Sequence, residues 1–242
     1  MTHFVFPYYA KPAKGFEISY ACKSIKKFYQ DKFKLFIVGD HPRFKGIEFI
    51  NCPRIQSGKG REIDVFNKLQ QTVKSNKINK NFVWIYDDIM FIDKVKPEDL
   101  QRPIAYDYVH DLKKYLEGRK VSKGYYQRKF AATMTILKKE GLPQWDYETH
   151  LPRTYDKDKA QYIIDKYKLL ENVYLFATLY FNNFEKAPWS TVKKLKKFKA
   201  ELYKPHEPLM VKELTKGKKI LNYSDRALNK HFDEYVKGIL KN

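Results

Sequence analysis

Two adjacent carboxylates inside an apolar run are the first residues of this chain that could do chemistry. Residues 81–92 read Asn-Phe-Val-Trp-Ile-Tyr-Asp-Asp-Ile-Met-Phe-Ile, so Asp87 and Asp88 interrupt a segment rich in β-branched and aromatic side chains. Such a run predicts a buried strand of an α/β sheet. Because a buried carboxylate is costly unless it is paired, hydrogen-bonded or metal-bound, we expect the pair where the strand opens onto a cation-holding site. The alternative is an ordinary strand-end turn with local backbone hydrogen bonds.

A second polar cluster lies between aromatic residues in the segment 145–153. It contains Asp146, Glu148 and His150. Aspartate and glutamate can act as general bases, and histidine is a good base or ligand near neutral pH. If His150 lies near the aspartate pair, carboxylate oxygens plus one imidazole suit Mg²⁺ or Mn²⁺. The alternative for His150 by itself is a purely structural histidine.

A glycine- and lysine-rich segment precedes a predicted helix and could hold a phosphate. Residues 56–62 read Gln-Ser-Gly-Lys-Gly-Arg-Glu, which puts Lys59 and Arg61 before a helix whose apolar residues run from Ile63 to Val73. Backbone N–H groups and the helix dipole favour anions at such a position. The segment is not a Walker motif, because the spacing differs and no Ser or Thr follows the lysine. The alternative, which the segment favours equally, is a flexible basic loop that binds no phosphate.

The elements that must position these residues begin with a strand–helix–strand pattern. Apolar runs predict strands at 4–6, 34–38 and 47–50, with a helix from Phe16 between the first two. A right-handed crossover and a parallel sheet follow from this order. Ligands bind at the carboxyl ends of the strands in such sheets, which here are the loops 7–12 and 39–42 and the aspartate turn.

The rest of the chain reads as further helices and one short strand. Helical spacing of apolar residues predicts helices at 106–116, 125–139, 158–170, 189–203 and 227–240. The run 173–181 fits either a strand or a buried helix, and 219–225 fits a last short strand. We expect one domain over 1–242, with a first half at 1–100 and a second half at 101–242.

Charge is the most unusual bulk property. Forty-eight Lys and Arg against 28 Asp and Glu give a net charge of +20 and a pI near 9.6. This excess favours an anionic partner such as nucleic acid, an acidic membrane surface or an anionic polymer. A Lys-, Asn-, Ile- and Tyr-rich composition is also what an AT-rich genome encodes, so charge does not name the partner. The basic face Lys193–Lys199 could track a phosphate backbone, lie on a membrane or form an ordinary solvated helix.

Composition also excludes several classes of protein. Aromatic residues are 16% of the chain, which argues against disorder. No run approaches the roughly 20 apolar residues that span a bilayer. Cys22 and Cys52 predict reduced core thiols and no disulfide framework. We therefore expect a soluble, or at most peripheral, protein in the cytoplasm of a bacterial or phage-infected cell.

The strand–helix–strand opening, the segment Ile85-Tyr86-Asp87-Asp88-Ile89 and the downstream His150 resemble glycosyltransferases of the GT-A type over residues 4–155. The segment 147–152 also resembles the His-x-Pro segment of Stealth-type capsule sugar-phosphate transferases. The GT-A resemblance implies an α/β fold: a mostly parallel, Rossmann-related sheet flanked by helices, with a helical C-terminal part. It also implies an acidic motif that holds a divalent metal on the diphosphate of a nucleotide-sugar. The usual motif has one residue between its aspartates, and here they are adjacent, so a metal-independent variant is also compatible.

The resemblance implies a role for each candidate residue. The first half of the chain would bind a nucleotide-sugar, here a UDP-sugar, and the second half its acceptor. The nucleoside would be surrounded by Tyr8, Tyr9, Ala10 and Asp40. The diphosphate would be approached by Lys59 and Arg61. Mn²⁺ or Mg²⁺ would be held by Asp88, Asp87 and His150. The base that deprotonates the acceptor hydroxyl would be Asp146 or Glu148.

The charge of the chain, together with what the GT-A resemblance implies, indicates an acceptor. A hydroxymethylated pyrimidine base in DNA, as in phage-type DNA glycosylation, fits a basic protein and is our first expectation. The basic residues expected to contact DNA are Lys113, Lys114, Arg119, Lys120, Lys123, Arg128, Lys129 and Lys193–Lys199. One alternative is a transferase of surface polysaccharide synthesis that lies on anionic lipid. Another is a metal-dependent nuclease, with Asp87, Asp88 and Glu148 as ligands, or a non-enzymatic nucleic-acid-binding protein.

Overall fold

Two β-sheets carry the fold. The computed structural model describes residues 1–9, 16–40, 46–55, 61–118, 124–185 and 187–241, without the side chains of residues 61 and 192–194. The strands are β1 (Thr2–Tyr8), β2 (Phe33–Gly39), β3 (Glu48–Asn51), β4 (Asn81–Trp84), β5 (Ile89–Phe91), β6 (Arg153–Asp156), β7 (Lys199–Leu202) and β8 (Ile220–Tyr223). The helices are α1 (Glu17–Phe28), α2 (Arg61–Lys74), α3 (Pro97–Gln101), α4 (Leu112–Gly118), α5 (Tyr125–Lys139), α6 (Lys157–Lys166), α7 (Phe176–Phe184), α8 (Val192–Phe198), α9 (Pro208–Thr215) and α10 (Lys230–Lys241).

The larger sheet has the strand order β3-β2-β1-β4-β6. The first four strands run parallel, and β6 runs antiparallel to β4 at the edge. Helix α1 connects β1 to β2, and α2 connects β3 to β4, which gives the crossovers that a parallel sheet requires. The predicted α/β fold, a mostly parallel sheet flanked by helices with a helical C-terminal part, is confirmed.

The apolar run of residues 81–92 forms two strands in two different sheets. β4 ends at Trp84, and β5 pairs antiparallel with β8 in a small sheet of order β5-β8-β7. The interpretation of the whole run as one buried strand is therefore wrong for residues 89–91, whereas the expected end of the strand near the aspartate pair agrees with β4. β5 pairs with a strand some 130 residues further along the chain, and a local hydrophobic pattern carries no information about such a partner. The aspartate turn lies where β4 leaves the larger sheet.

Apolar side chains on both faces of the larger sheet build the core. On one face, Val5 and Phe36 belong to a cluster with residues of α2, α5, α6 and α7. On the other face, Phe4 and Ile37 pack against α1 and β5. Cys22 and Cys52 are free and buried in these clusters, as predicted. Within the described ranges, no helix is both long enough and apolar enough to cross a membrane.

Two predicted helices are shorter in the structure because long-range backbone pairing competes with them. The helix predicted over 106–116 is confined to α4, since Tyr106 N–H donates to the Asp146 carbonyl at 2.7 Å. The helix predicted over 189–203 ends at Phe198, and the chain continues as β7 beside β8. Lys199 is consequently a buried strand residue and not part of a basic helix face. The ambiguous run 173–181 enters α7, a helix.

Candidate active site

The turn at residues 85–88 presents two carboxylates at the carboxyl edge of the larger sheet. Ile85 N–H still donates to the Val5 carbonyl at 3.1 Å, after which the ladder with β1 stops. Tyr223 of β8 holds the turn, because its N–H donates to the Asp88 carbonyl at 3.1 Å and its hydroxyl to the Asp87 carbonyl at 3.3 Å. Because the main-chain oxygens accept these bonds, Tyr223 does not bond to either carboxylate. Both aspartates line an adjacent cavity.

This first cavity, called the aspartate cavity below, has a volume of about 280 Å³. Its walls include Tyr8, Tyr9, Arg54, Lys68, Asp87 and Asp88. Because β1 ends at Tyr8 and β4 at Trp84, the cavity lies at the carboxyl ends of the central parallel strands, where open α/β sheets bind ligands. The structure thus brings together four of the residues that the sequence indicates.

The aspartate pair carries concentrated negative charge. Burial and the charge of Asp88 raise the pKa of Asp87 to about 6. Within the described part of the chain, Asp87 has no lysine or arginine partner, and Asp88 pairs only with His150, at 3.2 Å. The charge of Asp88 therefore disfavours the ionised form of Asp87 unless a cation joins the two carboxylates.

Two basic residues of the aspartate cavity are not indicated by the sequence analysis. The Arg54 guanidinium lies over the Tyr9 ring, 4.1 Å from its centroid, and donates to the Tyr9 hydroxyl. Lys68 is 2% exposed and forms an ion pair with Asp64, four residues earlier in α2. A sequence signal could have revealed Lys68: Asp64 and Lys68 are opposite charges four residues apart, and both fall among the apolar residues on the buried side of α2.

A second cavity, called the glutamate cavity below, adjoins the first. It has a volume of about 310 Å³, and the two cavities share Val65 and Tyr86 as lining residues. Aromatic side chains form much of its wall. Its charged or imidazole-bearing lining residues are Glu62, Lys129, Glu148, His150 and Arg153. Mostly apolar walls with a few converging polar groups are typical of small-molecule sites.

Glu148 is oriented by the N-terminus of α7. Its Oε1 accepts a hydrogen bond from Thr178 N–H at 3.2 Å and one from the Thr178 hydroxyl at 3.0 Å. These bonds fix the carboxylate, and the positive end of the helix dipole favours its charge. Burial nevertheless raises the pKa of Glu148, while the nearby Arg153 charge opposes the rise. A carboxylate with a raised pKa is the better proton acceptor near neutral pH.

Asp146, the other predicted base, has a different position. It is fully buried and lines neither cavity. Its Oδ1 accepts from Glu148 N–H at 2.9 Å, and its Oδ2 accepts from the Tyr115 hydroxyl at 2.8 Å. Asp146 therefore holds the turn that presents Glu148 and is not itself exposed to a cavity.

His150 stands at the junction of the two cavities. It lines the glutamate cavity, its Nε2 lies 3.2 Å from Asp88 Oδ1, and its ring is 5.4 Å from that of Tyr86. Its φ of 48° is a left-handed conformation that is uncommon for a residue with a Cβ. The buried Lys199 supports this conformation, because its ammonium donates to the carbonyl of Thr149, the preceding residue, at 2.5 Å.

The donor set at the aspartate turn fits a hard divalent cation. Among the described residues, no group of three His, Cys, Asp or Glu side chains is arranged to hold a metal by itself. Mg²⁺, however, is commonly held by one or two carboxylates together with phosphate oxygens of the substrate. Asp87 and Asp88, with the imidazole of His150 next to Asp88, provide such an incomplete set.

Comparisons with known proteins find similar solved structures but no sequence match. No family model matches the chain, and no curated protein matches it. Among solved structures, the chain is similar to the apo-form glycosyltransferase GlyE of Streptococcus pneumoniae TIGR4, with a TM-score of 0.41 and 12% identity. The match covers 99% of this chain and 62% of that chain, so this chain spans less than two thirds of the other's length.

The remaining predicted residues do not all reach the two cavities. Asp40 follows β2 and donates its N–H to the Tyr8 carbonyl at 3.3 Å, but it does not line the aspartate cavity. Ala10 and Lys59 lie outside the described residues, as does the side chain of Arg61.

The basic residues expected to contact DNA are partly described. Lys113, Lys114 and Arg128 are exposed on α4 and α5. Lys129 lines the glutamate cavity and pairs with Glu62 at 2.6 Å. The positions 119, 120 and 123 lie outside the described ranges.

Proposed function

We propose that this protein is a glycosyltransferase that moves a sugar from a nucleotide-sugar, a UDP-sugar, to a hydroxyl group of an acceptor. One observation carries the proposal: two cavities at the carboxyl edge of the parallel sheet meet at Tyr86, one with an aspartate pair and the other with an oriented glutamate. A group-transfer enzyme with two substrates needs this arrangement, because donor and acceptor must meet at one point.

The donor would occupy the aspartate cavity. Tyr8 and Tyr9 offer aromatic surface for a nucleoside, and Arg54 already covers the Tyr9 ring. Arg54, with the predicted Lys59, would supply positive charge near the diphosphate, whereas Lys68 is already paired with Asp64. Cationic side chains are suited to hold a diphosphate at this edge, because they bind phosphate through charge-assisted hydrogen bonds.

A divalent cation would be held by Asp87 and Asp88, with His150 beside them. When bound, Mn²⁺ or Mg²⁺ stabilises the negative charge that grows on the leaving diphosphate, as a Lewis acid does. The position of the aspartate turn between the nucleotide side and the glutamate cavity supports this assignment.

Glu148 would be the base. It would accept the proton of the acceptor hydroxyl while the acceptor oxygen bonds to the anomeric carbon and the bond from that carbon to the diphosphate breaks. Its raised pKa and its fixed orientation by Thr178 favour this role. Asp146 would act as a positioning residue, through its hydrogen bond to the Glu148 N–H.

For the acceptor we retain a hydroxymethylated pyrimidine of DNA as the first candidate, because of the net charge of +20 and the exposed basic residues of α4 and α5, of which α5 also lines the glutamate cavity. A surface-polysaccharide acceptor is the alternative. The nuclease alternative is less favoured, since Glu148 lines one cavity and the aspartate pair lines the other.

The test of the donor side is a panel of UDP-, GDP- and TDP-sugars incubated with the protein and Mn²⁺. Mass spectrometry would follow release of the nucleoside diphosphate. We expect one nucleotide class to raise the melting temperature and to be slowly hydrolysed, with loss of hydrolysis in Asp88→Asn. Asp93→Asn, an exposed aspartate five residues further along, is the matched control. If no donor is hydrolysed and none shifts the melting temperature, the proposal is wrong.

A further inference from the structure

We propose that the glutamate cavity binds an acceptor that carries an oxyanion, a carboxylate or a phosphate group, which Arg153 recognises beside the reacting hydroxyl. That the bound molecule is the acceptor of a sugar rests on the proposed function. The anion site itself rests on two buried polar atoms without a described partner, both on residues that line this cavity, and it can be tested without a donor.

The first of these atoms is Nη1 of Arg153. Arg153 is 6% exposed and lines the cavity. Its Nη2 donates to the Tyr147 carbonyl and, at 2.5 Å, to the Thr149 hydroxyl. Nη1 is buried and has no hydrogen-bond partner in the described part of the protein. A guanidinium stays protonated in proteins, so a buried N–H group without a partner is costly until a ligand supplies an acceptor oxygen.

The second atom is the hydroxyl of Tyr147. This side chain is fully buried, lines the same cavity and packs its ring 5.0 Å from that of Phe181. Its hydroxyl is also without a hydrogen-bond partner among the residues described. Two unsatisfied polar atoms, on residues that touch each other and that both line one cavity, each require an explanation. In this proposal a ligand of the cavity supplies it.

The other charges of the cavity leave Arg153 as the recognising group. Lys129 is neutralised by Glu62 at 2.6 Å. Glu148 lies close enough to Arg153 for their charges to interact, but its Oε1 is bonded to Thr178 and not to the guanidinium. An arginine that presents free N–H groups binds planar or tetrahedral oxyanions well. The volume of about 310 Å³ is at the small end of ligand pockets, which favours a monosaccharide- or nucleotide-sized acceptor.

The experiment measures binding by calorimetry, with pairs of probes that differ in the anion alone. One pair is methyl glucuronide and methyl glucoside, and the other is 5-hydroxymethyl-2′-deoxycytidine 5′-monophosphate and its nucleoside. We expect the anionic member of one pair to bind about ten- to a hundredfold more tightly, as for a charge-assisted hydrogen bond. A preference within the glucuronide pair would identify a carboxylate as the recognised group, and a preference within the nucleotide pair would identify a phosphate. Equal affinity within both pairs would overturn the inference.

Variants separate this site from the general positive charge of the protein. Arg153→Gln should abolish the preference, whereas Lys32→Gln, an exposed lysine at the opposite edge of the sheet, should leave it unchanged. Tyr147→Phe keeps the ring and removes only the unpartnered hydroxyl, so it should fold as the wild type does and bind the anion about two- to tenfold more weakly. A preference that survives both Arg153→Gln and Tyr147→Phe would refute the site.

The result remains separable from that of the donor panel. If the anionic probes bind and no nucleotide-sugar is hydrolysed, the anion site stands and the proposed function fails. If sugars are transferred equally well to neutral and anionic acceptors, the proposed function stands and this inference fails.

Discussion

Replacing Asp87 by Asn should make the protein more stable while it abolishes the proposed activity. The pKa of Asp87 is raised from 3.8 to about 6, mainly by burial and then by the charge of Asp88. At 1.36 kcal/mol per pKa unit, this rise corresponds to about 3 kcal/mol of destabilisation of the folded state at neutral pH. Local relaxation reduces this figure, so we expect a gain of about 1–3 kcal/mol for Asp87→Asn at pH 7.5 in metal-free buffer.

The gain should depend on pH in a defined direction. A carboxyl group with a raised pKa binds more protons in the folded state, so the stability of the wild type falls as pH rises between about 4 and 6. The Asn variant lacks this contribution. The difference in unfolding free energy between variant and wild type should therefore be small near pH 4 and reach its full size above pH 7.

Urea denaturation followed by fluorescence, in the presence of a chelator, measures this difference at several pH values. Asp93→Asn is the control, since this exposed carboxylate only accepts a local bond from Lys94 N–H at 2.7 Å. It should change stability by less than about 0.5 kcal/mol at every pH. A destabilised Asp87→Asn at pH 7.5, or a gain independent of pH, would refute the electrostatic reasoning.

Three further predictions concern the elements around the turn. Glu148→Gln should lower the transfer rate about 10²- to 10⁴-fold with little change in melting temperature, and a loss below tenfold would remove Glu148 as the base. Gly39→Ala should destabilise by about 2–4 kcal/mol in urea titrations, because φ is +140° and the new Cβ would collide with the Tyr8 carbonyl; an unchanged midpoint would contradict this close approach. Lys199→Met should cost about 1–3 kcal/mol by leaving the Thr149 carbonyl without its donor and Glu201 without its ion-pair partner, and a stability equal to wild type would show that both contacts are dispensable.

The strand–helix–strand opening could be predicted because its information is local. Strands buried on both faces read as continuous apolar runs, and α1 shows its apolar side at helical spacing. Asp87 and Asp88 could be identified from the sequence for the same reason, since two charged residues inside an apolar run are unusual wherever they occur. The loop 7–12, which contains Tyr8 and Tyr9, followed from the end of the first strand, and the GT-A resemblance implied the role of the two tyrosines.

The rest of the site depends on contacts between distant parts of the chain. Lys68 joins the aspartate cavity only when α2 packs against the sheet, and Arg54 joins it because the segment after β3 lies beside Tyr9. Asp146 and Glu148 are two residues apart and look equivalent in the sequence, yet one is enclosed and the other faces a cavity. Lys199 continues a lysine-rich helical pattern, but its pairing in β7 makes it a buried support of the His150 turn.

The central claim is that a sugar passes from the aspartate cavity to the glutamate cavity. The most direct measurement is mass spectrometry of acceptors incubated with the protein, Mn²⁺ and the nucleotide-sugar that the donor panel identifies. The acceptors are hydroxymethylated DNA, plain DNA and anionic saccharides. We predict that one acceptor gains one glycosyl unit for each nucleoside diphosphate released, and that Asp88→Asn and Glu148→Gln both lose this product. Metal-dependent cleavage of plain DNA without any nucleotide-sugar, and no glycosylated product, would contradict the account.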